Sequence, residues 1–402
     1  MTSRDREAIH FLGLWALVTA LCLVPLGLSA AFLVRAGELE GYDGVVRAQQ
    51  RDRAVYGPAT SENPFEYKVR LVRARRPVVL ALGSSRMMQF REEFFTAGFT
   101  SAGGGMRSVP EGLRFLEHLP PDARPRVALI GVEFWWFHPG WAREHANTPP
   151  GDPTALTLPK VTAPFQLLLS RKLTPATVGR VLLRGDRSND VTTQANLGIT
   201  AIHSSSGFRP DGSYQPASAA FGLQAAEAVD QRFATTLRYV DEGAGFFRHA
   251  AEPDLSVLTE LGVVLRRLTE HDVKVVLVLL PLAPPVRARM EARGPAFAYI
   301  ARARGGVRAL GYELHDFHDP QPLTADACEY FDGVHGGDVM SQRLLLDVAQ
   351  RRPDSPLSPY LDLARMRNAV AEFRGHTLTM FEPVYRRPEV DFLRLGCAKE
   401  RR

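Results

Sequence analysis

Cysteine is scarce in this chain, with three residues in 402. Cys22 falls in an apolar run, which leaves Cys328 and Cys397 as the only pair in the rest of the sequence. Such a pair suits one disulfide, which requires an oxidising compartment; two unrelated free thiols are the other reading. Clustered basic charge is also missing. The formal net charge is +5, yet the 49 Lys and Arg residues are scattered and no aromatic-studded basic stripe occurs, which argues against nucleic-acid binding. A Walker-type phosphate loop is absent, because "AGGG" (Ala102 to Gly105) lacks the Lys-Ser/Thr that should follow. His315 and His318 in "HDFHD" have no further ligands at zinc spacing, so neither a metal nor a cofactor is expected. No internal repeat or low-complexity tract is evident. With 45% hydrophobic and 23% charged residues the composition is that of a globular protein, and disorder is not expected over most of the length.

One long hydrophobic run stands out. Phe11 to Val34 ("FLGLWALVTALCLVPLGLSAAFLV") contains no charged residue. At ~1.5 Å per residue a helix of that length crosses a hydrocarbon core of ~30 Å, and membrane helices tolerate a proline such as Pro25. A cleaved signal peptide is the alternative, with "LSAA" (Leu28 to Ala31) as a cleavage site, but a signal core is usually ~7–15 residues. The reading adopted is an anchor over residues 1–36 with a short cytoplasmic tip. Flanking Arg residues are nearly balanced, and long domains translocate largely regardless of charge. Together with the cysteine pair, this favours a domain facing the periplasm or cell exterior.

After the anchor, residues 37–76 read as a polar, Arg-rich stalk with short helical pieces. Then strands and helices alternate. "PVVLALG" (Pro77 to Gly83), "RVALIGVEF" (Arg126 to Phe134) and "VKVVLVLLPL" (Val273 to Leu282) are continuous apolar runs, as expected for strands buried on both faces; "YELHDF" (Tyr312 to Phe317) is a weaker fourth. Helical patterns lie between them at Pro110 to Leu119, Asp254 to His271, after Pro285, and Asp338 to Gln350. This alternation predicts an α/β domain over 77–352 with a parallel sheet covered on both faces. Residues of about 149–250 interrupt the rhythm and read as an inserted cap, with a helix over about 221–240. Residues 353–402 form a C-terminal extension.

The chemistry-bearing stretch is "VVLALGSSRMMQF" (Val78 to Phe90), where a buried strand ends at Gly83 and exposes Ser84 and Ser85 on a turn. Ligands of open α/β sheets bind outside the carboxyl ends of the strands. A serine nucleophile needs a base, and the base an orienting acid. "YFDGVHGGD" (Tyr330 to Asp338) offers both on one short loop, Asp332 and His335. The competing reading makes the two serines helix caps and His335 a surface residue. Arg86 either holds an anionic group or is a solvated residue at a helix start. Trp135 and Trp136 in "FWWFHPGW" either stack on sugar rings or pack in the core.

Gly83-Ser84-Ser85 after the first core strand, with Asp332-Gly-Val-His335 near the end, resembles the SGNH (GDSL-type) hydrolase superfamily. More narrowly it resembles the membrane-anchored branch that includes alginate O-acetylation and teichoic-acid D-alanylation proteins. "GFRPDGSY" (Gly207 to Tyr214) is similar to a loop of that branch, and the resemblance runs from about Pro77 to Gln350. It implies a flavodoxin-like three-layer αβα sandwich with Ser85 as nucleophile, Asp332 as acid and His335 as base. Backbone donors at Ser85, Gly103, Gly104 and Gly105 would form the oxyanion hole. The departures are a G-S-S turn for G-D-S, Ser101 in place of an asparagine, and "GVEF", which puts Glu133 where another asparagine would donate. An ionised carboxylate there would repel an oxyanion unless it points elsewhere or is protonated, and one such donor is worth ~10²–10³ in rate. Arg86, Glu133, Trp135 and Trp136 are the expected substrate contacts. The implied function is a membrane-tethered serine esterase or O-acyltransferase acting on a cell-surface or exported polysaccharide, beside a multi-pass O-acyltransferase. A catalytically inactive accessory protein that binds polysaccharide or that partner is the alternative.

Overall fold

Five short segments pair into one parallel sheet in the computed structural model, which describes residues 3–59, 63–141, 152–224, 228–318, 323, 326–381 and 384–399. The strands are β1 (Val79–Gly83), β2 (Phe99–Gly103), β3 (Val127–Val132), β4 (Lys274–Leu279) and β5 (Glu313–Asp316), in the spatial order β2-β1-β3-β4-β5. Every residue of β1, β2 and β3 is buried. Alternate residues feed two separate cores. Leu80, Leu82, Ile130 and Leu277 meet the helices Val109–Glu117, Ser256–Thr269 and Ala298–Ala309. Val79, Ala81, Leu129 and Val276 face the other way, toward Leu344, Leu345 and Val348 of the helix Asp338–Arg351. β1, β3 and β4 are visible in the sequence because their burial on both faces is met by near-continuous apolar text.

β2 was not among the expected strands. Its text, "FTSAG", is short and half polar; it is held by full parallel register with β1, Val79 opposite Phe99 and Gly83 opposite Gly103. Two other expectations give way. Residues 37–76 are not a free stalk: the helices Tyr42–Asp52 and Phe65–Arg75 bury Val45, Tyr67, Leu71 and Val72, and Val55–Tyr56 joins a small sheet with Asn196–Leu197, Gly207–Phe208 and Tyr214–Gln215. The Arg side chains that suggested a stalk sit on the outer faces of these amphipathic helices, as Arg51, Arg70 and Arg73 do. The helix expected over about 221–240 is not continuous. Arg232 and Phe233 take left-handed φ of 52° and 59°, and the helix begins only at Ala234–Glu242. Residues 225–227 lie outside the described residues.

The C-terminal segment completes the second core through Leu357, Leu361 and Met366, and Cys397 is joined to Cys328 by a disulfide. At the other end of the chain, one N-terminal helix, Ser3–Ala36, is long and apolar enough to cross a membrane. Its leucines and valines are exposed from Ile9 to Leu28, whereas Phe32, Leu33 and Ala36 are buried against the folded domain.

Candidate active site

β1 ends at the place where the chain's course across the sheet reverses, since β2 lies on one side of it and β3 on the other. Parallel strands diverge beyond such a point and leave a crevice at their carboxyl ends. Ser84 is the first residue beyond β1. It caps a short 3₁₀ turn, Ser85–Gln89, by accepting the Arg86 N–H at 3.2 Å. The capping reading thus holds for Ser84 alone. Ser85 opens the turn and points elsewhere: its Oγ lies 2.8 Å from His335 Nε2.

His335 is delivered by a tight loop closed by the Phe331 N–H to the His335 carbonyl at 2.8 Å. Asp332 organises that loop. Its Oδ1 accepts the backbone N–H groups of Val334 and His335 at 2.8 and 2.7 Å, and its Oδ2 lies 2.8 Å from His335 Nδ1. An acceptor-only carboxylate at Nδ1 fixes the proton there and leaves the Nε2 lone pair for the Ser85 hydroxyl. Burial works against the charge on both members of the pair and is outweighed by their mutual attraction and hydrogen bond: His335 is raised above its ordinary value and Asp332 is lowered.

The residues expected to touch substrate do something different. Glu133, the first residue beyond β3, is fully buried; its Oε1 accepts from Ser84 Oγ at 2.5 Å and its Oε2 from Arg86 Nη1 at 2.7 Å. Arg86 in turn donates through Nε to the Val334 carbonyl at 2.8 Å and through Nη2 to the Pro281 carbonyl at 2.5 Å. One guanidinium therefore ties together the ends of β1, β3 and β4 and the histidine loop. Trp135 and Trp136 are 3% and 1% exposed and belong to the core; the Trp136 Nε1–H donates to the Arg107 carbonyl at 2.8 Å. None of the four lines the pocket at Ser85. Burial excludes them from direct contact with a ligand.

The glycine segment also departs from expectation. The Gly104 N–H donates to the Gly83 and Ser84 carbonyls, both at 2.9 Å, and the Gly105 N–H to the Ala102 carbonyl at 2.9 Å. Both amides are committed inside the fold and are not offered to an oxyanion. The Gly103 N–H faces Ser101 Oγ at 3.4 Å, and Ser101 Oγ itself donates to the Met87 carbonyl. A Cβ at Gly103 would meet the Met88 nitrogen at 2.5 Å, so this glycine exists to let β2 approach the turn that carries Ser85. Of the four backbone donors expected, the Ser85 N–H keeps the suitable place, at the first position of a turn that does not itself use that amide.

Ser85, Asp332 and His335 open into a pocket of about 490 Å³. Its walls are aromatic rings of Tyr42, Tyr56, Tyr67, Phe208, Tyr214 and Phe331. Gln89, one helical turn beyond Ser85, also lines it. This side chain is 5% exposed, and its Oε1 meets no hydrogen-bond donor among the described residues. A buried polar atom without a partner is unfavourable and singles this side chain out among those lining the pocket. Gln89 and the three tyrosines of residues 37–76 are not among the residues expected from the sequence. The available signal was the spacing of Gln89 four residues after Ser85, and the amphipathic face carrying Tyr42, Val45, Val46 and Gln49.

His315, considered above for a metal, pairs through Nε2 with Glu313 at 2.8 Å. Comparisons with protein-family models, with curated proteins and with solved structures gave no match to this chain.

Proposed function

We propose that the protein is a membrane-tethered serine esterase or O-acyltransferase of SGNH type, with a flavodoxin-like sandwich, whose domain faces the periplasm or cell exterior and modifies a cell-surface or exported polysaccharide. The observation that carries the reading is the continuous chain Ser85 Oγ, His335 Nε2, His335 Nδ1, Asp332 Oδ2, with 2.8 Å at each hydrogen bond. Ser85 attacks the acyl carbonyl while His335 takes the hydroxyl proton, and Asp332 stabilises the imidazolium that forms. The tetrahedral oxyanion is received by the Ser85 N–H. His335 then returns the proton to the leaving group, and the resulting acyl-serine is released to water or to a carbohydrate hydroxyl. The disulfide supports an oxidising compartment, and the aromatic walls of the pocket suit the apolar faces of sugar rings. A multi-pass O-acyltransferase in the same membrane is the proposed donor.

Glu133 was the feature that favoured an inactive accessory protein. Its carboxylate pairs with Arg86 and does not line the pocket, which favours the catalytic reading. The test is hydrolysis of p-nitrophenyl acetate by the purified chain. Ser85→Ala and His335→Ala are expected to lower the rate roughly 10²- to 10⁴-fold. Equal rates in parent and both variants would remove the esterase form.

A further inference from the structure

The helix Leu158–Leu169 divides its leucines between core and solvent. Leu167 and Leu168 pack on the core and Lys160 and Pro164 are buried, while Leu158 and Leu169 are 74% and 85% exposed. The next helix, Pro175–Arg184, leaves Leu183 85% exposed. Among the described residues, the other exposed large apolar side chains are those of the N-terminal helix, Leu156 just before the first of these two helices, and the separate positions Tyr239, Leu255 and Val390. A soluble surface of this kind is unfavourable; a lipid surface is where it becomes favourable.

The pair of helices sits at one particular height on the N-terminal helix. Ser29 Oγ donates to the Val161 carbonyl at 2.7 Å, and Phe32 and Ala36 share a core with Leu173 and Val181. The exposed large apolar residues of the N-terminal helix run from Ile9 to Leu28, one residue before that hydrogen bond; beyond it Val34 is exposed while Phe32, Leu33 and Ala36 are buried. From Ile9 to Leu28 is about 20 residues, which at ~1.5 Å each is ~30 Å, the thickness of a hydrocarbon core. The hairpin therefore begins where the bilayer must end.

Its outer side is basic. A groove of about 610 Å³ is lined by Arg171, Lys172 and Arg180 of the hairpin and by Arg386 and Arg387; Asp190 in its wall pairs with Arg387, and Asp186 beside it pairs with Arg180 at 3.6 Å. Arg171 and Lys172, in the turn between the helices, meet no carboxylate among the described residues. Exposed leucines beside a basic groove are the two signals by which an interfacial helix holds an anionic leaflet.

We infer that the hairpin Leu158–Arg184 is a second membrane contact, seated in the interfacial zone of an anionic phospholipid bilayer, leucines toward the acyl chains and the basic groove toward the headgroups. The inference rests on the N-terminal helix spanning that bilayer. It fixes the domain's tilt and holds the mouth of the Ser85 pocket at a constant distance from the membrane.

The full chain, in a Cys22→Ser background, is labelled with an environment-sensitive fluorophore at Leu169→Cys, Leu183→Cys, Leu17→Cys or Leu255→Cys and reconstituted in vesicles whose lipids carry a shallow spin label. Labels at Leu169 and Leu183 are expected to shift to the blue and to be quenched at least roughly twofold more than the label at Leu255. The increment is expected to grow when phosphatidylglycerol replaces half of the phosphatidylcholine, and to shrink with Arg171→Glu and Lys172→Glu together. A second set of vesicles carries a deep spin label, which is expected to quench Leu17; that quenching with none at Leu169 and Leu183 by the shallow label would overturn the inference while leaving the anchor intact, and no quenching at Leu17 by the deep label would overturn both. A blue shift at Leu169 and Leu183 without lipid quenching would mean that protein covers the hairpin, and would overturn it as well.

Discussion

Asp332 does three things with two oxygens. It closes the loop through two backbone N–H groups, fixes the proton on His335 Nδ1, and raises the affinity of the imidazole for a second proton. The last effect has a measurable sign. A general base works only when neutral, so kcat/KM rises with pH and levels off above a midpoint higher than the ordinary histidine value of ~6.5. Asp332→Asn removes the attraction and leaves burial, which disfavours the imidazolium. The acidic limb is therefore expected to move to lower pH while the plateau falls roughly 10²- to 10⁴-fold. A pH–rate profile of the two proteins checks this; an unmoved limb would mean that another group titrates. The same pair couples to stability with opposite signs. His335, raised on folding, contributes stability that is full below its unfolded value and lost as pH climbs through the folded one; Asp332, lowered, contributes above its unfolded value and loses it as pH falls.

At the scale of elements, the site is an agreement between strand ends. Arg86 and Glu133 form an ion pair at 3% and 0% exposure, and the remaining guanidinium donors reach the carbonyls of Pro281 and Val334. A lone ammonium cannot reproduce that planar fork, so Arg86→Lys is expected to loosen the histidine loop and lower kcat more than it raises KM. Arg86→Met, which leaves Glu133 buried without a counter-charge, is expected to cost about 3–5 kcal/mol in denaturant unfolding. Activity and stability equal to the parent in both variants would show that the network does not position the loop. The legibility of the sequence follows the same division. β1, β3 and β4 announced themselves because their two-sided burial is met by near-continuous apolar text, and the two loops bearing Ser85 and Asp332/His335 carried their own chemistry in adjacent residues. Arg86 and Glu133 were singled out but misassigned, because an ion pair spanning strand ends 47 residues apart leaves no local pattern. β2 was missed for a related reason: its polar and small residues owe their strand conformation to β1. Gly104 and Gly105 were misassigned because composition does not say where an amide points.

Across the whole molecule, remote segments converge on one loop. Cys328, four positions before Asp332, is fixed to Cys397, and the Lys399 Nζ donates to the Cys328 carbonyl at 3.0 Å and pairs with Glu389 at 2.7 Å. The disulfide closes a sequence separation of 69 residues, for which chain entropy gives a stabilisation of about 4 kcal/mol. Cys397→Ser, or a reductant, is therefore expected to lower the thermal midpoint by several degrees in a melting curve. An unchanged midpoint would mean that the packing of Leu357 and Met366 holds the C-terminal segment unaided. The N-terminal helix packs on the Leu158–Arg184 hairpin through Ser29, and Tyr42 and Tyr56 line the pocket at Ser85, so the catalytic proposal and the membrane proposal are tested on one molecule.

The central claim is that His335 activates Ser85. A fluorophosphonate reacts by attack of an activated serine Oγ on phosphorus with loss of fluoride, and it needs neither the natural donor nor the acceptor. Peptide mapping of the treated protein is expected to find the phosphonyl group on Ser85, and to find it lost in His335→Ala. Modification of another serine, or none in the folded parent, would contradict the account.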